Sequence, residues 1–203
     1  MGHSVVLNPA LRAELLAMAE EDQRVRAELA AAGSLFDGYH ARMAEVHRRN
    51  AARLSAILDR HGWPGPALVG EDGSAAAWLV LQHAIGDPPL MRRGLALLGA
   101  LAPGDVEPAQ LAMLEDRVRA FEGRPQQYGT QYDWDEEGQL APLPIEDPGR
   151  VDELRRSVGL GSLEENSRHI REQTARAGER PPPDRAERQR RRREWERSVG
   201  WHD

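Results

Sequence analysis

Several polar side chains stand where helical spacing predicts apolar core residues. Asp22 continues a row of apolar residues at three- and four-residue steps, and Asn50 takes a similar place on the next predicted helix. His83 belongs to the most apolar helical stretch, and Asp116 lies among small apolar neighbours. A buried carboxylate without a partner costs several kcal/mol, so we expect these groups to hold hydrogen-bonding or cationic partners.

A polar and aromatic turn, "QQYGTQYDW" at 126–134, follows the fifth predicted helix. It places amide, phenol, hydroxyl and indole groups close together. Gly129 allows the backbone to turn so that its polar neighbours point inward. We therefore expect the turn to close the mouth of a pocket built by the helices, lined by Asp22, His83, Asp116, Tyr128 and Gln131.

An imidazole beside a carboxylate suits general base catalysis, because the carboxylate fixes the tautomer and stabilises the imidazolium. His83 paired with Asp116 or with Asp22 meets that description. The chain contains no GxSxG or SxxK pattern for a nucleophilic serine. The sequence thus favours activated water, and hence hydrolytic or acid–base chemistry on a small-molecule ligand, with Asp22, His83 and Asp116 as catalytic residues.

Metal and cofactor signals are weak. Asp22, His83 and Asp116 could together ligate an ion, but HExxH and paired-histidine spacings are missing, so we predict no metal. GxGxxG and GxxxxGK[ST] are also missing, and we predict no nucleotide or other cofactor.

A second interpretation remains open. A single buried histidine, aspartate or asparagine is more often a structural hydrogen-bond anchor than a functional group. The same residues could form a packing network in a non-catalytic helical interaction or structural module. An open cavity around these residues would favour a ligand-binding or catalytic site. Hydrogen bonds that use all of their polar groups among themselves would favour the structural network.

The elements that position these residues are mainly helical. Pro9 and Gly33 bracket a first amphipathic helix, and a second ends at Gly62-Trp63-Pro64. A short buried helix capped near Asp72 or Ser74 follows, and two more are predicted at 88–101 and 108–121. After Gly123 we predict a β-hairpin within 126–145, then a short helix and a more exposed one.

The predicted fold is a single, mainly α, helical-bundle-like domain at 1–178 with a small β-hairpin element. An arginine-rich C-terminal extension at 179–203, helical or disordered, is expected outside the core. Glutamates at helical spacing dilute the charge of its "RQRRRR" run, which favours a solvated helix.

Composition narrows the class of protein. The chain has 203 residues, no cysteine and a formal net charge of −6, and its 27 lysine-or-arginine positions are all arginine. The acidic balance argues against nucleic-acid binding, which needs clustered positive charge. No apolar run reaches the roughly 20 residues that span a bilayer, so we expect a cytoplasmic protein without membrane contact. The arginine, alanine and glycine usage is typical of GC-rich bacterial genomes.

The chain resembles a bacterial family of unknown function. The resemblance covers about 20–165 and rests on "EDQRVR", "HGWPG", "VGEDGSAAAWLVLQHA", "LEDRV", "GRPQQYGTQ" and "GLGSLEE". No established activity is implied. The resemblance adds positions that we assign to ligand binding: Arg26, Asn50, Gln82, Arg117, Gln127, Tyr128, Thr130 and Gln131. Gln23 and Trp63 also fall on its motifs.

Overall fold

The computed structural model describes residues 7–34, 38–102 and 104–202. The chain forms two compact units, at 1–106 and 107–203. The predicted boundary at residue 178 stays a prediction. The described residues confirm the mainly α-helical fold with one small antiparallel hairpin. None of their helices is both long enough and apolar enough to cross a membrane.

The first unit contains four helices among its described residues: α1 (Pro9–Ala31), α2 (Ala41–His61), α3 (Pro66–His83) and α4 (Pro88–Gly99). The first three pack against one another, and α4 packs against α3. As predicted, α1 has Pro9 at its first position, and the Asn8 side chain accepts a hydrogen bond from the Leu11 amide at 3.0 Å.

The buried face of α1 follows the predicted row. Its buried residues are Leu11, Leu15, Met18, Asp22, Val25 and Leu29. A row at steps of three and four forms one face of a helix, and this face packs toward α2 and α3. Asp22 therefore lies in the interior of the first unit.

A kink divides α3 close to its predicted start near Asp72 or Ser74. The helix begins at Pro66, right after Gly65, and Gly70 interrupts it with φ 77° and ψ 166°. Such a positive φ is strained for any residue with a Cβ. The polar run around Asp72, where the helix start was predicted, directly follows this kink, and the short helical segment before Gly70 was not predicted.

The second unit contains α5 (Pro108–Phe121), β1 (Tyr132–Trp134), β2 (Leu140–Pro142), α6 (Val151–Ser157), α7 (Leu163–Arg176) and α8 (Arg185–Val199). The strands pair antiparallel, with Asp133 opposite Ala141. Gly138 takes φ 71° in the connecting turn, which confirms the hairpin predicted within 126–145. A reciprocal capping box of Ser162 and Glu165 begins α7.

The arginine-rich extension forms α8, a helix that Asp184 caps. The expectation that this segment lies outside the core is wrong at Trp201, whose exposed fraction is 3%. Its indole stacks on Phe121, with ring centroids 4.9 Å apart. Trp195 on α8 also contacts Phe121, edge-on and with ring centroids 6.2 Å apart. Helical periodicity does not reveal Trp201, because that residue follows the helix.

Candidate functional site

Asp22 is the centre of a polar cluster in the first unit. Its side chain is fully buried, and both carboxylate oxygens contact histidines from other helices. His83 Nδ1 lies 2.9 Å from Oδ1 and 3.0 Å from Oδ2. His47 Nε2 lies 3.0 Å from Oδ2. Three helices thus contribute one side chain each, and the predicted pairing of Asp22 with His83 is present.

His47 belongs to the cluster but was not predicted. It lies on α2 between Met43 and Ala51, both buried and each four residues away. That spacing could have revealed it, since residues four apart share a helix face. The neighbouring row through Val46 and Leu54 is more apolar, so the periodicity of α2 indicates that row as the buried face and not the one with His47.

Tyr39 extends the cluster. Its hydroxyl lies 2.8 Å from His47 Nδ1, and its ring stacks on the imidazole at a centroid distance of 5.6 Å. The two imidazoles are also neighbours, with centroids 5.3 Å apart. A continuous chain of polar contacts therefore runs from Tyr39 through His47 and Asp22 to His83.

Asn50 fixes the positions of the two helices near the cluster. Its side-chain amide donates to the Met18 carbonyl at 3.2 Å, in the buried contact between α2 and α1. Asn50 follows His47 by nearly one turn, and Met18 precedes Asp22 by one turn. The hydrogen bond thus holds the helices in a register that brings His47 to Asp22. Asn50 was predicted to bind ligand, and this contact gives it a structural role.

The electrostatics of Asp22 balance two opposing effects. Burial alone raises the pKa of the Asp22 carboxyl, because the charged form loses hydration. The close contacts of His47 and His83 outweigh burial and hold the pKa of Asp22 well below its usual range. Burial, together with the charge of Asp22, raises the pKa of the Tyr39 phenol. Asp22 is therefore a carboxylate and Tyr39 a neutral phenol at neutral pH.

Solvent reaches both imidazoles to a limited extent. The side chain of His83 is 16% exposed and that of His47 is 11% exposed, while Asp22 is completely enclosed. The carboxylate is thus shielded behind two rings that border the solvent. Each imidazole therefore lies between the solvent and a buried carboxylate.

A second polar cluster, in the second unit, surrounds Asp116. Oδ1 accepts from the Gln127 amide at 2.7 Å and Oδ2 from the Thr130 amide at 3.0 Å. The Tyr128 amide contacts both oxygens, and the Thr130 hydroxyl donates to Oδ2 at 3.0 Å. Asp116 therefore holds the backbone of the polar turn in place.

Gln126 and Arg155 complete this second cluster, and neither was predicted. The fully buried Gln126 amide donates to the carbonyls of Gln131 and Leu143 at 3.0 and 2.8 Å. Arg155, 2% exposed, donates to the Tyr128 carbonyl at 2.6 Å. Burial lowers the pKa of the Arg155 guanidinium. Arg155 lies on a short helix with too few turns to show which face is buried.

The other predicted ligand-binding residues differ in setting. Gln131 accepts from Arg117 at 3.2 Å and donates to Thr130 at 3.1 Å. Gln82 is half-buried at the end of α3, and Arg26 is exposed on α1. A surface cavity of about 690 Å³ in the second unit has none of the predicted site residues in its lining, which includes Arg124, Arg193 and His202.

The structure thus brings the predicted residues together in two groups. Asp22 and His83 meet in the first unit, with His47 and Tyr39 added. Asp116 gathers the turn residues in the second unit. That both groups line one cavity stays a prediction.

The chain is thus a mainly α-helical protein in which one side chain from each of the first three helices forms a histidine–carboxylate cluster. A family model, described as a family of unknown function (DUF6624), matches residues 9–177, and the chain belongs to that family. Helix α8 lies beyond the matched residues. Neither a curated protein nor a solved structure matches the chain. The family confirms the resemblance; the motif strings and the bacterial origin stay predictions.

Proposed function

We propose that the protein binds a small molecule and performs hydrolytic or acid–base chemistry on it at the cluster of Asp22, His47 and His83. One observation supports this most: a fully buried carboxylate contacts two imidazoles from two other helices, and both rings border the solvent.

His83 is the proposed general base. Because its Nδ1 is held against Asp22, the lone pair for proton transfer lies on Nε2. Nε2 removes a proton from water or from the ligand, and the imidazolium that forms is stabilised by the Asp22 carboxylate. His47 and Tyr39 keep the carboxylate oriented through the second oxygen.

Asp116 has a different proposed role. Both of its oxygens accept hydrogen bonds from the turn that it holds. We therefore assign Asp116 to positioning of this turn, and the assignment of Gln127, Tyr128, Thr130 and Gln131 to ligand binding stays a prediction. The sequence-based assignment of Asp116 to catalysis stays a prediction.

The test combines a substrate panel with three variants. The full chain is assayed with chromogenic carboxylic esters, phosphate esters and amides, and a thermal-shift screen searches small polar ligands. We expect His83→Ala and Asp22→Asn to reduce turnover by about 10²–10⁴-fold, the usual contribution of a general base. The control is His61→Ala, an exposed histidine at the end of α2, which should leave turnover unchanged.

The alternative, a non-catalytic helical module, makes the opposite prediction. His83→Ala would then leave the buried Asp22 carboxylate without this hydrogen bond and lower the free energy of unfolding by about 1–3 kcal/mol. Large destabilisation in both variants, with no substrate or ligand found for the parent, would overturn the proposed function.

A further inference from the structure

The donor atoms of the Asp22 cluster lie at distances suited to a metal ion. A carboxylate oxygen, His47 Nε2 and His83 Nδ1 all lie within 4.8 Å of one another. Two nitrogen–oxygen distances are 2.9 and 3.0 Å. Ligands bound to one ion at about 2.1 Å are about 3.0–3.4 Å apart, so the three donors need only small movements to share an ion.

The contact of His47 with Asp22 is short, but its geometry is poor for a hydrogen bond. His47 Nε2 is buried, and among the described residues it has no partner in hydrogen-bonding geometry. It nevertheless lies 3.0 Å from Asp22 Oδ2. A buried nitrogen that faces a carboxylate without an aligned N–H is costly as a hydrogen bond and well placed as a ligand.

The charge balance points the same way. Among the described residues, the side-chain partners of Asp22 are His47, His83 and the amide of Gln23. None is an arginine, although the chain has 27 arginines and no other basic residue of that strength. A buried carboxylate needs positive charge nearby, and a divalent cation at its oxygens would supply it.

Tyr39 supplies the outer contact that metal-binding histidines usually have. A ligating imidazole commonly donates its second ring N–H to an acceptor, which fixes the tautomer. The Tyr39 hydroxyl lies 2.8 Å from His47 Nδ1, so that nitrogen can donate to it while Nε2 directs its lone pair at the ion.

We propose that Asp22, His47 and His83 bind one divalent transition-metal ion of the zinc, iron or manganese class. Two imidazoles and one carboxylate suit these ions, whereas magnesium and calcium prefer oxygen ligands alone. Three protein ligands leave a coordination position for water or substrate. With the ion bound, His83 would ligate through Nδ1 and carry its proton on Nε2, so the ion, and not His83, would activate the water of the proposed function. This catalytic part rests on that function. The sequence had predicted no metal, because its ligands follow no recognised spacing.

The binding test uses the full chain without a polyhistidine tag. The protein is stripped with a chelator and titrated with Zn²⁺ by calorimetry, and metal content is measured by mass spectrometry after gel filtration. We expect one saturable site per chain. Asp22→Asn, His47→Gln and His83→Gln should each weaken Zn²⁺ affinity by more than about 100-fold, the upper range for loss of an outer contact.

Two further variants separate ligation from structure. Tyr39→Phe should weaken affinity by about 10–100-fold, because it removes the outer contact only. It should also shift the visible absorption of Co²⁺ bound at the site, which a purely structural role would not do. His61→Ala is the matched control and should bind Zn²⁺ like the parent.

The outcomes are distinguishable from those of the proposed function. A Co²⁺ spectrum of nitrogen and oxygen ligation in the parent protein supports the site even if a variant fails to fold. Absence of saturable Zn²⁺ and Co²⁺ binding by the folded parent overturns the metal site, and so does affinity unchanged in the ligand variants. Turnover that survives chelation would contradict the catalytic metal and leave the proposed function standing. Metal binding without any turnover would support the metal site and contradict the proposed function.

Discussion

At the residue scale, the contact between Asp22 and His83 should be a strongly coupled pair. The carboxylate is fully buried and the imidazole largely so, and low solvent access strengthens their interaction. We expect a double-mutant cycle of Asp22→Asn and His83→Gln, measured by urea unfolding with a chelator present, to give a coupling energy of about 1–3 kcal/mol.

An exposed pair in the same unit is the control for that cycle. Arg93 lies 2.6 Å from Asp59, and both side chains are at least 40% exposed. Exposed ion pairs contribute little, so the Asp59→Asn and Arg93→Gln cycle should give less than about 1 kcal/mol. Additive effects at Asp22 and His83 would contradict the close pairing.

Residue types and spacing predicted part of this cluster. Asp22 and His83 were found because each interrupts an otherwise apolar pattern, and such an interruption is visible in one helix alone. His47 and Tyr39 were missed because His47 borders a more regular apolar row and Tyr39 lies outside any helix. Which of two carboxylates His83 contacts depends on how helices pack, and periodicity within a helix contains no such information.

At the element scale, α3 and α4 approach closely at a glycine. A Cβ on Gly94 would clash with both methyl carbons of Leu81, and Leu81 is fully buried two residues before His83. Gly94→Ala should therefore overpack this contact and lower the free energy of unfolding by about 1–3 kcal/mol, measured by urea unfolding.

Gly99→Ala is the matched control in the same helix. A Cβ there meets nothing within 4 Å, so the substitution should be neutral or stabilising by up to about 1 kcal/mol. Equal effects at both glycines would show that backbone entropy, and not the close contact with Leu81, determines the result.

Helix existence was easier to predict than helix limits. The ends of α1 and α5 matched their proline and glycine signals, because those residues act locally. For α3 the sequence predicted the helical segment after the kink at Gly70 but not the short one that begins at Pro66, because a proline signal and a polar run follow each other within a few residues. The hairpin was predicted from the loss of helical periodicity together with Gly138.

At the scale of the whole molecule, the C-terminal helix should contribute to stability. Trp201 is 3% exposed and stacks on Phe121 within the second unit. We expect Trp201→Ala to lower the free energy of unfolding by about 3–5 kcal/mol, as for other buried aromatic truncations. Arg193→Ala, an exposed position on α8, is the control and should change little. If Trp201→Ala left the free energy of unfolding unchanged, the C-terminal helix would not contribute to stability through this residue.

The charge of α8 should not make the protein bind DNA. Arg191 lies 2.7 Å from Glu187 and Arg188 lies 2.5 Å from Asp133, so acidic neighbours offset part of the arginine run. With a net charge of −6, the full chain should show no salt-sensitive binding of a labelled duplex by fluorescence anisotropy at low ionic strength. Binding that disappears on removal of 179–203 would refute this expectation.

The turn around Asp116 has the form of an anion receptor with its own ligand attached. Amide groups of Gln127, Tyr128 and Thr130 converge on one carboxylate, in the way that backbone concavities bind free anions. Asp116→Gly should remove the tethered anion and leave the receptor, at a cost of about 3 kcal/mol in the free energy of unfolding.

Formate or acetate added to Asp116→Gly should then raise its melting temperature in a saturable manner. High concentrations are needed, since a tethered group has an effective concentration of millimolar or more. The parent protein and Glu115→Gly, the adjacent half-buried position, should show no such rescue. If formate stabilises all three proteins equally, the turn has no receptor character of its own.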